Sequence, residues 1–89
     1  MIEREVTVSN RLGLHARASA RLVQLASGYR SSARIAARGK EVDAKSIMGV
    51  MMLAAGQGTV VTLRFDGEDE AEAMAEAVAL FERQFDEGG

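Results

Sequence analysis

Apolar and polar residues alternate along Ile2-Glu3-Arg4-Glu5-Val6-Thr7-Val8, with Ile2, Val6 and Val8 on one side and Arg4 breaking the pattern. A period of two predicts a half-buried strand over 2–8. Residues 9–15 predict a loop in which Gly13 allows an unusual backbone angle. From Ala16 the period becomes helical. Ala16, Ser19, Ala20, Leu22, Val23 and Ala26 share one face, and Arg17, Arg21 and Gln24 the opposite one. A helix over 16–27 is expected, closed by Gly28. Alternation returns at 32–38 with Ala33, Ile35 and Ala37 inward, and Gly39 turns the chain into a short strand at 40–43 as a hairpin. Ser46 precedes an apolar run, which predicts an N-cap and a short helix over 47–53 with Val50 and Leu53 facing the core. Val61, Leu63 and Phe65 share a face of a strand at 59–66. After Asp66-Gly67, the acids Glu68, Asp69, Glu70 and Glu72 suit the positive end of a helix dipole. That helix is expected from about 69 to 85, burying Ala71, Met74, Ala75, Val78, Phe81 and Phe85, with Asp86 to Gly89 as a frayed tail.

The element order is βαββαβα. One-sided strands and helices with single apolar stripes predict an α+β open-faced β-sandwich. Its four-stranded antiparallel sheet would carry three helices on one face, within a single domain spanning 1–89.

Composition narrows the function classes. There is no Cys and one His among 89 residues, so thiol chemistry is absent and a transition-metal site is not expected. The lack of Cys fits a reducing cytoplasm. No apolar run reaches the ~20 residues of a membrane span, and the N-terminus lacks a signal-peptide pattern. A net charge of -2 and 4% aromatics speak against a nucleic-acid partner. That net charge is unevenly distributed: basic residues concentrate before Ser46 and acidic ones after it.

The single histidine then gains interest. With a helix beginning at Ala16, His15 takes the cap position in Gly13-Leu14-His15-Ala16-Arg17. The first backbone N–H groups of a helix lack internal partners and, with the macrodipole, favour anions such as phosphate. A neutral imidazole nitrogen there is a nucleophile. Attack on a phosphoryl donor would leave the new oxygens at the helix start, where Arg17 could add a charge-assisted hydrogen bond. Such a contact is typically worth about 1–3 kcal/mol, enough to hold a group in transit without trapping it. A His-x-Arg triplet alone carries little information. The competing reading is a polar cap on a non-catalytic ligand-sensing or RNA-binding module.

The run Asn10-Arg11-Leu12-Gly13-Leu14-His15-Ala16-Arg17-Ala18-Ser19, with Ala44-Lys45-Ser46-Ile47-Met48-Gly49-Val50-Met51-Met52-Leu53-Ala54-Ala55, resembles the HPr family of phosphocarrier proteins. These serve the bacterial phosphoenolpyruvate-dependent phosphotransferase system. The resemblance covers essentially the whole chain. It implies the same fold, no cofactor, and a carrier that is itself phosphorylated. His15 would be the phosphorylated residue, modified on its δ nitrogen, and Arg17 the support of the phosphoryl group. The implied partners are enzyme I and a IIA protein or domain, with an HPr kinase/phosphorylase acting on Ser46. Ala18 departs from the family's usual proline, at a helical position where a missing N–H would break no intrahelical bond. Both a sugar-transport and a nitrogen-related branch fit the motifs.

Ser46 is also a plain N-cap on the residue pattern, and the two roles are compatible. A six-residue helix cannot bury every side. Ile47, Met48 and Met51 are therefore candidates for an exposed, adaptable patch. Arg17, Arg21, Gln24 and Lys45 would form a polar, mainly basic rim beside it, giving a docking face on a monomer.

Overall fold

Strand β1 (Ile2–Thr7) pairs antiparallel with β4 (Val60–Asp66), and β4 pairs antiparallel with β2 (Ser32–Ala37), whose other neighbour is β3 (Lys40–Asp43). The order β1-β4-β2-β3 places the last strand of the chain inside the sheet. The computed structural model describes residues 1–87, and Gly88 and Gly89 lie outside them. Three helices complete the predicted βαββαβα order: α1 (Ala16–Ser27), α2 (Ile47–Met52) and α3 (Glu70–Glu82).

The alternation read from the sequence decides which side of the sheet is covered. Ile35 lies opposite Leu63, and Ala33 opposite Phe65, and all four are buried. Intervening residues carry charge to the other face. Arg64 pairs with Glu3 at 2.6 Å and Glu41 at 2.9 Å, while Arg34 reaches Glu41 at 3.2 Å. These pairs are substantially exposed, so that face is open to solvent and the helices lie over the opposite one. The arrangement is the open-faced α+β sandwich expected from the pattern.

Two helical faces differ in register from the sequence reading. In α1 it is Ala18, with Ser19, Leu22 and Ala26, that is buried, and Ala16 is exposed. In α3 the buried set is Ala73, Met74, Ala77, Leu80 and Phe81, while Ala71 and Ala75 are exposed. The cause is the alanine content. Ala71, Ala73, Ala75, Ala77 and Ala79 surround the axis, so two neighbouring stripes score alike and packing selects between them. The last helix also ends earlier than expected. After Glu82 the backbone enters a 3-10 turn, Gln84–Asp86, whose three residues have φ of 55°, 55° and 60°. Phe85 is buried as anticipated, but from this turn, edge-on to Phe81 with ring centroids 4.8 Å apart.

Connections are fastened by side chains. Arg38 and Gly39, both at positive φ, form the two-residue β2–β3 turn. Arg38 then donates to the carbonyls of Leu53 at 2.6 Å and Ala54 at 3.3 Å, satisfying the open end of α2. Asp69 makes no cap bond to α3. Its carboxylate accepts from the amides of Arg30 at 2.8 Å and Ser31 at 2.9 Å and from the Ser31 hydroxyl.

The Ser31 hydroxyl first, and then the Arg30 amide, hold the Asp69 carboxyl down at about 2, below its ordinary 3.8. A depressed carboxylate adds stability above the unfolded-state value and loses it as pH falls through the folded one. Asp69→Asn is therefore expected to lower the melting temperature at neutral pH. The gap to wild type should close as pH falls from about 4 to about 2. Melting curves across that range check this, and a gap independent of pH would remove Asp69 from the acid response.

Candidate functional site

The loop before α1 is built around two residues with little freedom. Gly13, at φ +68°, passes so close to the end of α2 that a β-carbon would lie 2.6 Å from the Ala55 carbonyl oxygen. The next amide, Leu14 N–H, donates to that same oxygen at 2.8 Å, and the Leu14 side chain enters the core. Asn10, fully buried, donates from Nδ2 to the Gly13 carbonyl at 2.8 Å. The Ser19 hydroxyl donates back to the Leu14 carbonyl at 2.9 Å. The chain is thus fixed on both sides of His15.

His15 is the N-cap of α1, with extended backbone at φ −73° and ψ −177°. Its Nδ1 accepts from the Arg17 amide at 3.3 Å, the cap bond foreseen for this position. Its Nε2 lies 2.6 Å from Oε2 of Glu87. An amide can only donate, so Nδ1 bears the lone pair and the neutral ring carries its proton on Nε2, donating to Glu87. The other oxygen of Glu87 accepts from Asn10 Nδ2 at 3.0 Å. Flipping the Asn10 amide would set its oxygen against that carboxylate and against the Gly13 carbonyl, so the network determines its orientation as well.

The expected frayed tail is therefore incorrect as far as Glu87. Phe85 anchors the segment in the core, and Arg21 donates from its guanidinium to the Phe85 carbonyl. Burial pushes the Glu87 carboxyl up, but hydrogen bonds from Asn10 and His15, with the charge of Arg17, outweigh it and hold the group below its ordinary range. Nothing local in the sequence marks Glu87 as part of the site, and Asn10, though it opens the run that resembles the family, carries no expected role there. One looked like tail and the other like loop.

The remaining predicted residues divide into two groups. Arg17 and Gln24 are exposed, and Arg17 lines the open cleft shared by Arg11, Leu12, His15, Ala16 and Glu87. Arg17 also borders a groove between α1 and α2 with Arg21, Gln24 and Ile47. Ile47, Met48 and Met51 are exposed to 44%, 72% and 41%, confirming that α2 leaves a methionine-rich side open, to which Met52 also contributes. Arg21 and Lys45 instead spend hydrogen bonds on the fold. The Lys45 ammonium donates to the Tyr29 carbonyl at 3.0 Å, as Arg21 does to Phe85. Ser46 caps α2, its hydroxyl accepting from the Gly49 amide at 3.1 Å, and remains partly exposed. Among the described residues no group of His, Asp and Glu is placed to hold a metal ion, and no helix is long and apolar enough to cross a membrane.

An open-faced sandwich whose one histidine caps a helix beside an exposed arginine defines a small α+β protein with a partly exposed imidazole at its surface. Residues 2–83 match the family model described as the PTS HPr component phosphorylation site. The phosphocarrier protein HPr of Xylella fastidiosa (strain Temecula1) is 58% identical over 98% of each chain. A crystal structure of HPr from Thermoanaerobacter tengcongensis superposes with a TM-score of 0.95, at 45% identity over 98% of each chain. Another, of an HPr dimer from the same organism, gives 0.77 at 45% identity, covering 96% of this chain and 98% of that one. The chain belongs to the HPr family, phosphocarrier proteins of the phosphotransferase system.

Proposed function

We propose that this chain, acting as a cytoplasmic monomer with residues 1–89 as one domain, accepts a phosphoryl group on Nδ1 of His15 from phospho-enzyme I. It then passes the group to a histidine of a IIA protein or domain. The observation that carries this reading is the direction of Nδ1, whose lone pair lies at the start of α1 beside an open cleft and is engaged only by the long 3.3 Å bond from the Arg17 amide. In the step, the Arg17 amide gives up its hydrogen bond to Nδ1, and a bond forms between Nδ1 and phosphorus while the donor's bond to phosphorus breaks. The ring keeps its Nε2 proton, so no base is needed. The first free amides of α1 and the exposed Arg17 guanidinium meet the phosphoryl oxygens. The second transfer reverses the same chemistry. The partner completes the transition state, because the chain offers too few groups to do so alone.

The exposed apolar side of α2, with Arg17 and Gln24 beside it, suits docking of more than one partner, since methionine side chains adapt to differing surfaces. Arg21 and Lys45 border that face while bonding to backbone carbonyls, so they contribute charge more than freely mobile contacts. The test is incubation with phosphoenolpyruvate and enzyme I. An acid-labile, base-stable gain of one phosphoryl group, discharged by a IIA protein, is expected. No gain would defeat the proposal. Sedimentation of the phosphorylated species tests the monomer.

Ser46 is proposed as a regulatory site for an HPr kinase/phosphorylase. Its partial exposure and its place at the cap of α2, beside the docking face, support this role. A phosphate there adds about two negative charges where acidic partners would approach. Ser46→Ala is expected to abolish an ATP-dependent, acid-stable adduct and to cost about 1 kcal/mol of stability through the lost cap. Persistence of that adduct in the variant would place the modification elsewhere.

A further inference from the structure

The arrangement behind His15 has a use that the acceptor role alone does not require. Glu87 faces the ring from the side away from the helix, 2.6 Å from Nε2. Its second oxygen is held by Asn10, which is itself fixed through the Gly13 carbonyl. The Glu87 side chain is only 11% exposed, and the turn that delivers it is anchored by buried Phe85 and by Arg21. We propose that Glu87 is a positioning residue, with Asn10 orienting it, that confines the His15 proton to Nε2 and so makes Nδ1 the nucleophilic nitrogen. This deepens the proposed phosphoryl transfer and rests on it.

A neutral imidazole left to itself divides between two tautomers, and only one presents Nδ1 to a donor. The weak 3.3 Å cap bond from Arg17 favours the productive form from one side. The charged acceptor at Nε2 favours it more strongly from the other. After transfer the ring bears a phosphoryl group on Nδ1 and a proton on Nε2. Its positive charge then sits beside the Glu87 carboxylate. The proton never has to move, in either direction of transfer.

Asn10 makes the test sharper than a simple deletion. Both of its amide hydrogens are committed, to Gly13 and to Glu87. In Glu87→Gln the new amide must turn its oxygen to Asn10, so its NH2 points at Nε2 of His15. That donor requires a lone pair on Nε2 and drives the proton to Nδ1. Glu87→Ala only releases the ring. Two-bond nitrogen–proton spectra of histidine-labelled protein, taken where the ring is neutral, read the tautomer directly. The wild type is expected in the Nε2–H form, Glu87→Ala as a mixture, and Glu87→Gln shifted to Nδ1–H. The rate of transfer from phospho-enzyme I should fall in kcat, with KM retained because the α1–α2 face is untouched. The loss should be on the order of 10- to 100-fold for Gln and smaller for Ala, with the Gln variant melting near wild type and the Ala variant lower, since it leaves the buried Asn10 amide without its acceptor.

The ordering of the two variants separates positioning from structure, since a purely structural role would make the near-isosteric Gln the milder change. A wild-type-like tautomer in Glu87→Gln, or equal transfer rates in all three proteins, would overturn the role of Glu87. Failure of the wild type itself to accept a phosphoryl group would defeat the parent proposal instead.

Discussion

His15→Ala and His15→Asn are both expected to abolish phosphoryl acceptance from phospho-enzyme I while leaving the protein folded. Beside its proposed role as acceptor, His15 caps α1 and bonds to Glu87. As a cap, its Nδ1 takes the Arg17 amide at 3.3 Å, a long bond. Loss of a cap acceptor costs typically about 1 kcal/mol. Asparagine replaces that acceptor well, but both variants also lose the bond from Nε2 to Glu87, so both should melt below wild type, the Ala variant the lower of the two. As an acceptor, His15 is the chain's one imidazole, and with no Cys there is no other strong neutral nucleophile at this surface. Neither substitute can form the acid-labile nitrogen–phosphorus bond, so the expected signal is none, not a reduced one. Mass spectrometry after incubation with phosphoenolpyruvate and enzyme I reads this. An acid-labile adduct on His15→Asn would show that the assigned acceptor is wrong.

The second large effect is on stability. Gly13→Ala is expected to lower the folding free energy by roughly 2–4 kcal/mol. At φ +68° any β-carbon is strained, and here it would also lie 2.6 Å from the Ala55 oxygen and 2.7 Å from Gly56 Cα. Both are backbone atoms, so no rotamer change relieves the overlap. The loop must lift, stretching the Leu14–Ala55 hydrogen bond and drawing Leu14 out of the core. A fall of about 10–20 °C in melting temperature follows for a domain of this size. Gly39→Ala is the control. It shares the positive φ but finds nothing within 4 Å of its β-carbon, so it should cost only the conformational strain. Equal losses at the two positions would mean that the close approach to Ala55 is unimportant.

The two glycines show where local reading stops. A positive φ at Gly13 is foreseeable from its place in a loop before a capped helix. The segment that approaches after the end of α2 is not, since it arrives from residues more than forty positions away in sequence. The same division runs through the site. His15 at the cap, Arg17 beyond it, Ser46 at the start of α2 and the exposed methionines follow from position within an element. Arg21 and Lys45 belong to the same helical and loop patterns, yet their partners are the carbonyls of Phe85 and Tyr29. Their inward hydrogen bonds depend on which segments pack beside them.

Strand and helix order, the covered side of the sheet and the cap position of His15 were legible because each depends on periodicity or on a neighbour within one turn. Alternation with period two specifies which side chains of β2 and β4 go inward wherever those strands pair. A helix cap is defined by the next three amides. The register of α3 was not decided in this way, because alanines on all sides made two stripes equivalent until Met74, Leu80 and Phe81 packed. The placement of Glu87 was decided by tertiary structure alone. Gln84, Phe85 and Asp86 all adopt the left-handed region, which propensity allows an aspartate but does not assign to a glutamine or a phenylalanine. They are held there by buried Phe85 and the Arg21 guanidinium. The sequence determined that a histidine would stand at the start of a helix. Only the fold could bring a carboxylate from 72 residues away to its other nitrogen, because that contact is made by packing across the molecule and has no local signature.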